Sequence, residues 1–218
     1  MLALLVHAAS LLVTQPVAAP GPIRFAQLPA ISDDGNLVAI AVSTSDGERG
    51  NDNLKLAIID ADADRIVEAV VIVDASRPKR PGRAKRQAEA EAVLARRAWR
   101  PLRKLDLRDD PRAPARKGPV GGPFQADMAV GEGLRVTYRE PTLTVRESGP
   151  KGRELLRRAA RELSVKGRSD GCPAPFASLA TAAVDRAAGI LLLEIKYDGG
   201  SDPCPEPSET FHVIRLPP

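Results

Sequence analysis

Short apolar runs separated by turn-forming clusters make up much of the chain after residue 30. Three early runs, at residues 37–43, 54–60 and 66–74, are rich in Val, Ile, Leu and Ala, a composition that favours β-strands. Asp33-Asp34-Gly35-Asn36 precedes the first run as a tight turn, and residues 60–64 join the second run to the third. The pattern predicts a three-stranded antiparallel meander.

The C-terminal part shows the same pattern. Residues 190–193 are the most apolar run after the N-terminal segment, which predicts a central strand. Residues 134–138 and 143–146 flank Glu140-Pro141 and predict a hairpin or two edge strands. A second meander is expected from residues 179–184, 189–197 and 210–216.

Two segments have helical spacing. Residues 84–100 are rich in strong helix formers, end before Pro101, and place four residues on one face: Ala88, Ala92, Ala95 and Trp99. In residues 152–163, Leu155, Ala159 and Leu163 recur every four residues, which favours a helix, with a strand pair as the alternative. We therefore predict an α+β fold in which two antiparallel meanders share or face a sheet and one or two helices pack against it.

A local signature adds to this interpretation. The sequence Ile31-Ser32-Asp33-Asp34-Gly35-Asn36-Leu37-Val38-Ala39-Ile40 resembles the Ser-x-Asp-Gly-x-x-Val/Leu-Ala signature of TolB-like β-propeller blades, and Leu56-Ala57-Ile58-Ile59-Asp60 suits the third strand of such a blade. A propeller needs at least about four blades, and the motif occurs once clearly. The resemblance implies a blade-like meander over residues 31–60 and not a complete propeller.

The N-terminus has the features of an export signal. Residues 1–23 contain no Asp, Glu, Lys or Arg, and the apolar run at 2–13 precedes Pro16 and small residues, as in a secretory signal that lacks a basic n-region. The run is too short for a transmembrane span, which needs about 20 residues. We expect a signal peptide over residues 1–22, cleaved between Ala18 and Pro22, and one α+β domain over 23–218. A buried N-terminal strand or helix is the alternative.

The chain contains two cysteines, Cys172 and Cys204, each in a Pro-rich, polar loop. An even number of cysteines in an exported chain predicts a disulfide. Free thiols are the alternative, and zinc would want four ligands, whereas only one His, His212, accompanies the two cysteines after residue 22.

An Arg- and Pro-rich insertion spans residues 76–123, and its part from 109 to 123 is expected to be a mobile loop. Residues 77–117 include 15 basic and 5 acidic residues, a charge excess that would attract an anionic polymer such as lipopolysaccharide or nucleic acid. A solvated loop is the alternative, since Trp99 is its only aromatic residue and the net charge of the chain is +4. The candidate anion-binding residues are Arg96, Arg97, Arg100, Arg103 and Lys104.

The apparent catalytic and metal motifs do not fit known chemistry. Asp60, Asp62 and Asp64 mimic the start of a calcium loop, but Arg65 and Val71 occupy the positions that need Gly and Glu, so a hairpin turn is expected. His212 is expected to be a structural residue that faces outward from a strand. We predict no cofactor and no metal, and an exported, periplasmic or extracellular, non-enzymatic binding or scaffold protein. One alternative is the anionic-polymer-binding protein, and another is a hydrolase that uses two of the carboxylates of Glu132, Glu140 and Glu194, about 5–10 Å apart.

Overall fold

The computed structural model describes residues 23–45, 52–74, 82–105, 108–109, 125–131, 133–139, 142–149, 151–159, 176–198 and 210–217. The expected signal peptide at 1–22, both cysteines and residues 110–123 of the expected loop lie outside these stretches. No helix within the described stretches is both long enough and apolar enough to cross a membrane.

Sheet A contains the first predicted meander. Its strands are β1 (Ala30–Ser32), β2 (Leu37–Ser45), β3 (Asp52–Asp60), β4 (Arg65–Val73) and β5 (Trp99–Pro101). They lie in the order β4-β3-β2-β1-β5, and every neighbouring pair is antiparallel. The meander predicted between residues 37 and 74 is therefore confirmed.

Sheets B and C contain the remaining strands, and all of their pairs are antiparallel. Sheet B, in the order β14-β13-β12-β6, comprises β6 (Arg103–Leu105), β12 (Phe176–Asp185), β13 (Ile190–Asp198) and β14 (Thr210–Arg215). Sheet C, in the order β11-β10-β9-β8-β7, comprises β7 (Arg108–Asp109), β8 (Gln125–Gly131), β9 (Leu134–Arg139), β10 (Thr142–Glu147) and β11 (Glu154–Ala159). The predicted second meander and the hairpin at 134–146 are thus confirmed.

Sheet B is the middle layer of the molecule. Leu191 and Leu193 pack in a cluster with residues of sheet C, such as Val136, whereas Ile190 and Leu192 pack with residues of sheet A. Because β13 is covered on both faces, its sequence is a continuous apolar run and not an alternating one. The two predicted meanders therefore face each other across a shared core.

The helix α1 (Arg83–Leu94) covers the other face of sheet A. It buries Ala90, Val93 and Leu94, so the predicted helical face through Ala88 and Ala92, which are exposed, is wrong. The predicted extension of the helix to residue 100 is also wrong.

Trp99 contacts the C-terminal end of the helix. The indole is buried in the core that α1 shares with sheet A, as expected for a core anchor, but it lies on β5. Its Nε1–H donates a 2.8 Å hydrogen bond to the carbonyl oxygen of Leu94. This carbonyl is in the last turn of α1 and also accepts the N–H of Arg97 at 3.4 Å, so the indole adds a second hydrogen bond where the helix ends.

The preference for a helix at 152–163 is wrong over its described part, because β11 begins at Glu154. Glu147 N–H donates to the carbonyl oxygen of Arg153 at 3.0 Å and closes a hairpin between β10 and β11. A side chain at Gly152 would collide with the backbone of Glu147, and Gly149 has φ +120. The two glycines permit a tight turn, and turn chemistry overrides the helical spacing. The fold is mixed, but it is mostly sheet, with one α-helix in the described stretches.

Residues 99–109 join all three layers. β5 pairs with β1 in sheet A, β6 with β12 in sheet B, and β7 with β8 in sheet C. Between β5 and β6, Leu102 is buried and its N–H donates to the carbonyl oxygen of Pro29 at 2.8 Å. One short stretch therefore adds an outer strand to each sheet in turn.

Candidate functional site

The three sheets have six outer strands within the described stretches. Three of these are very short, since β5 and β6 have three residues each and β7 has two. The longer ones are β4, β14 and β11. An outer strand presents unpaired backbone N–H and C=O groups that can pair with another chain unless something blocks them. These three edges are therefore the candidate binding surfaces.

Charged side chains protect β11. Arg157 donates to both carboxylate oxygens of Glu154, at 3.0 and 2.8 Å, and Arg146 on β10 donates at 3.0 Å. The hydrogen bonds from Arg157 and then from Arg146 lower the pKa of the Glu154 carboxyl to about 2. Exposed charges on an outer strand discourage the addition of another strand.

A buried carboxylate closes the edge of β14. Asp64 Oδ1 accepts the backbone N–H of Val213 at 2.7 Å, and Asp64 Oδ2 lies 2.9 Å from Nδ1 of His212. Asp64 ends the turn between β3 and β4 and has φ +47, a left-handed conformation that Asp tolerates better than most residues. Asp60 Oδ1 shapes this turn by accepting the N–H groups of Asp62 and Ala63 at 3.0 and 2.8 Å. The expected hairpin turn at 60–64 is confirmed.

Arg215 adds a second polar link between β14 and sheet A. Its guanidinium donates to Asp62, and it reaches the carbonyl oxygen of Gly35 and Oδ1 of Asn36, each at 3.3 Å. The hydrogen bond from Arg215 lowers the pKa of the Asp62 carboxyl. The end of β14 is therefore held by the β1–β2 turn and the β3–β4 turn of sheet A.

Ser32 organises the turn that contacts Arg215. Its Oγ donates to Asp34 Oδ1 at 2.5 Å and accepts the N–H of Leu37 at 2.9 Å. Asp34 Oδ1 also accepts the N–H of Asn36 at 3.1 Å, and these bonds, led by that from Ser32, lower the pKa of the Asp34 carboxyl. Gly35 has φ +72, which glycine adopts without strain. The Ser-x-Asp-Gly pattern in this chain is a hydrogen-bonded turn.

The β4 edge differs from the other two. β4 has nine residues and carries exposed apolar side chains: Ile66 and Val67 are each 48% exposed and Val71 is 38% exposed. Within the described stretches, β4 pairs with β3 on one side and with no strand on the other. Its Glu68 is held by Arg96 at 2.8 Å.

The exposure of β4 follows from how the layers overlap. Ile72 of β4 is buried in the cluster beneath α1. The cluster between sheets A and B contains Ala57 and Ile59 of β3 but no residue of β4 among its buried members. Ile66 lies opposite Ile59 in the β3–β4 pairing, and Val67 is an extra residue at a β-bulge. Sheet B therefore covers β3 and leaves the adjoining side of β4 open to solvent.

Comparison of the chain with protein-family models, with curated proteins and with solved structures finds no match in any of the three. The described stretches form a three-layer antiparallel sheet protein in which, of the three longer outer strands, β4 has the exposed apolar edge.

The five candidate anion-binding residues lie after α1: Arg96 and Arg97 precede β5, Arg100 is on β5, and Arg103 and Lys104 are on β6. Arg96 is paired with Glu68, and Arg100 donates to Asp185 at 2.8 Å, with side chains 17% and 10% exposed. Arg97, Arg103 and Lys104 are exposed. Arg96 and Arg100 are therefore compensated by carboxylates, and the anion-binding role stays a prediction.

The carboxylates proposed for a hydrolase are only partly described. Glu194 is buried on β13, whereas Glu132 and Glu140 lie outside the described stretches. No group of three or more His, Cys, Asp or Glu residues in the described part of the chain could hold a metal ion.

His212 has the carboxylate contact that orients a catalytic histidine, but it lacks access. The ring is 1% exposed, and Asp64 holds its Nδ1. A general base must come within hydrogen-bond reach of a substrate, and this ring lies beneath the closed edge of β14. The expectation that His212 faces outward is wrong, because Asp64 provides a buried polar partner from another sheet.

Sequence reasoning missed both Asp64 as a structural residue and β4 as an open edge. The acidic pattern indicated a hairpin turn but no long-range role for Asp64, the last residue before β4. The apolar run at residues 66–74 indicated a strand but not its exposure. The overlap of the layers could not be seen in the sequence.

Proposed function

We propose that this protein is a polypeptide-binding module that takes up an extended segment of a partner protein along β4. The observation that carries the proposal is the contrast among the three long edges. Asp64 closes β14, and Glu154 on β11 is paired with two arginines, whereas β4 has one such pair, Arg96–Glu68, beside exposed Ile66, Val67 and Val71.

An extended segment is the occupant that suits this edge. A strand edge offers N–H and C=O groups at regular spacing, and a partner chain in a β conformation can pair with them while alternate side chains contact the sheet. Apolar side chains of the partner would cover Ile66 and Val71. Helical partners would not satisfy the backbone groups of β4.

The setting of this activity is also a proposal. An exported, scaffold-like binding protein is supported by the uncharged N-terminal segment and by the even number of cysteines, Cys172 and Cys204. Detection of the mature N-terminus between residues 18 and 22, and of a Cys172–Cys204 disulfide by non-reducing mass spectrometry, would support export. Retention of residues 1–22 together with two free thiols would contradict it.

A displayed library of random nonapeptides, selected on the immobilised full chain, tests strand addition. We expect selected peptides rich in Val, Ile and Thr at alternate positions, because these suit a pleated surface. Their binding should perturb the amide resonances of residues 65–73. The Val67→Lys/Val71→Lys variant should weaken binding at least tenfold, since it places charges on the edge.

Ala92→Lys is the matched control, because Ala92 is exposed on α1 and the change adds the same type of charge away from β4. It should leave peptide affinity within about twofold. Amide perturbations that map to another strand, or equal binding by the double variant, would refute the proposal. A dimer of the purified protein that pairs through β4 would show that the occupant is a second copy.

A further inference from the structure

Two buried polar atoms on β14 have no hydrogen-bond partner among the described residues. They are Oγ1 of Thr210 and Nε2 of His212. A buried polar atom that lacks a partner destabilises the folded state, so native structures rarely leave one unpaired. Here two such atoms lie in one short strand.

The two atoms belong to one local environment. Thr210 and His212 are two residues apart on a strand, so their side chains project from the same face, at a Cα spacing of roughly 6–7 Å. In the strand register, Thr210 lies opposite Ile195 and His212 opposite Leu193. Both of these neighbours belong to the cluster between sheets B and C. The protein wall around the two polar atoms is therefore apolar on this side.

The hydrogen-bonding roles of these atoms follow from Asp64. A carboxylate accepts hydrogen bonds, so the tautomer with its hydrogen on Nδ1 satisfies Asp64 Oδ2, which lies 2.9 Å away. In the neutral ring, Nε2 is then an acceptor. The Thr210 hydroxyl can donate and accept. A molecule that donates to Nε2 and also bonds with the hydroxyl would satisfy both atoms.

We propose that Thr210 and His212 form a buried hydration site that holds one water molecule between them. Water has the required donors and acceptors, and buried waters commonly bridge polar groups that have no protein partner. The bridge fixes the second nitrogen of the His212 ring, whose first nitrogen is fixed by Asp64. It thereby connects the start of β14 to the turn that closes the edge of this strand.

Substitution of Thr210 distinguishes a bridging water from an unpaired hydroxyl. Thr210→Val keeps the shape of the side chain and removes the hydroxyl. If water bridges the two side chains, the variant loses that bridge, and the unfolding equilibrium constant in urea should rise roughly fivefold to tenfold. If the hydroxyl is unpaired, its removal should leave that constant unchanged or lower it, which would overturn the proposal.

Thr210→Ser is the control, because it keeps the hydroxyl and removes only a methyl group. It should keep the bridging water, and a loss of that water in this variant would contradict the proposal.

A direct measurement on the wild-type chain does not depend on the folding of any variant. Rotating-frame Overhauser spectra should show a contact between a ring proton of His212 and water with a long residence time. This contact should persist in Thr210→Ser and disappear in Thr210→Val. A folded wild-type protein in which the His212 ring makes no such contact would refute the hydration site.

Discussion

β14 and β4 are both outer strands, but the edge of β14 is closed by a side chain from another layer, whereas the edge of β4 is exposed. The edge of β14 is closed by Asp64, which accepts the N–H of Val213 at 2.7 Å and contacts His212. On its outer side, β4 pairs with no strand within the described stretches, and it exposes Ile66, Val67 and Val71. A single buried side chain from a neighbouring layer can thus prevent a strand edge from pairing with another chain.

Asp64 connects the two edges, because it immediately precedes β4 in sequence. The turn that seals β14 is also the turn from which β4 begins. The difference depends on how the layers overlap. The β3–β4 turn reaches sheet B and closes the edge of β14, whereas the rest of β4 extends beyond sheet B and stays exposed.

The largest loss of stability is expected when Asp64, whose side chain closes the edge of β14, is substituted. Asp64→Ala would leave the N–H of Val213 and Nδ1 of His212 without their acceptor, and would place Ala in a left-handed conformation that disfavours it. We expect a loss of about 3–4 kcal/mol in the free energy of unfolding, measured by urea denaturation.

Asp64→Asn is the matched variant, since it keeps one oxygen acceptor and tolerates the left-handed conformation. Its loss should be less than half as large. Equal losses of unfolding free energy in both variants would show that β14 does not depend on hydrogen bonds to the Asp64 oxygens.

Ser32→Ala should have the next largest effect, because it acts on the turn that receives Arg215. The substitution removes a donor to Asp34 and the acceptor of the Leu37 N–H. We expect a loss of about 1–2 kcal/mol in unfolding free energy and a rise of the Asp34 pKa toward its usual range, measured by carboxyl NMR titration. An unchanged Asp34 titration would contradict the hydrogen-bonded turn.

On the open edge, the expected change in stability is small. Val67→Lys alone should shift the unfolding free energy by less than about 0.5 kcal/mol, because the side chain is 48% exposed and already solvated. A loss above 2 kcal/mol would mean that Val67 is covered by other parts of the protein. Amide exchange on the free side of β4 should also be faster than that of Val213.

The smallest effect concerns the charged edge, β11, and appears only in acid. The Glu154 carboxyl has its pKa lowered from 4.5 to about 2, so its contribution to stability is fully present above pH 4.5 and is lost as the pH falls through about 2. Carboxyl NMR titration should give a midpoint near 2, and Arg157→Ala should raise it. A midpoint near 4.5 in the wild-type protein would show that the ion pairs do not persist in solution.

Much of the fold could be predicted because its strands carry local signals. The apolar runs that became β2, β3 and β13 and the turns at 33–36 and 60–64 were readable, since turn residues and strand composition act over a few neighbours. Helical spacing was misleading at β11, where the geometry of Gly149 and Gly152 decides in favour of a hairpin. Trp99 was correctly expected in the core, but it lies on β5, where it pairs with Ser32 of β1, and not on the helix.

The sequence by itself determined the local elements of this protein: two meanders, a helix, an acidic turn and an apolar run at residues 66–74. Tertiary structure alone decided that Asp64 meets His212 148 residues away and that sheet B covers β3 but not β4. Local composition specifies which residues can form a strand, whereas the exposure of an edge depends on which distant layer reaches it. The candidate site of this protein is a consequence of that overlap.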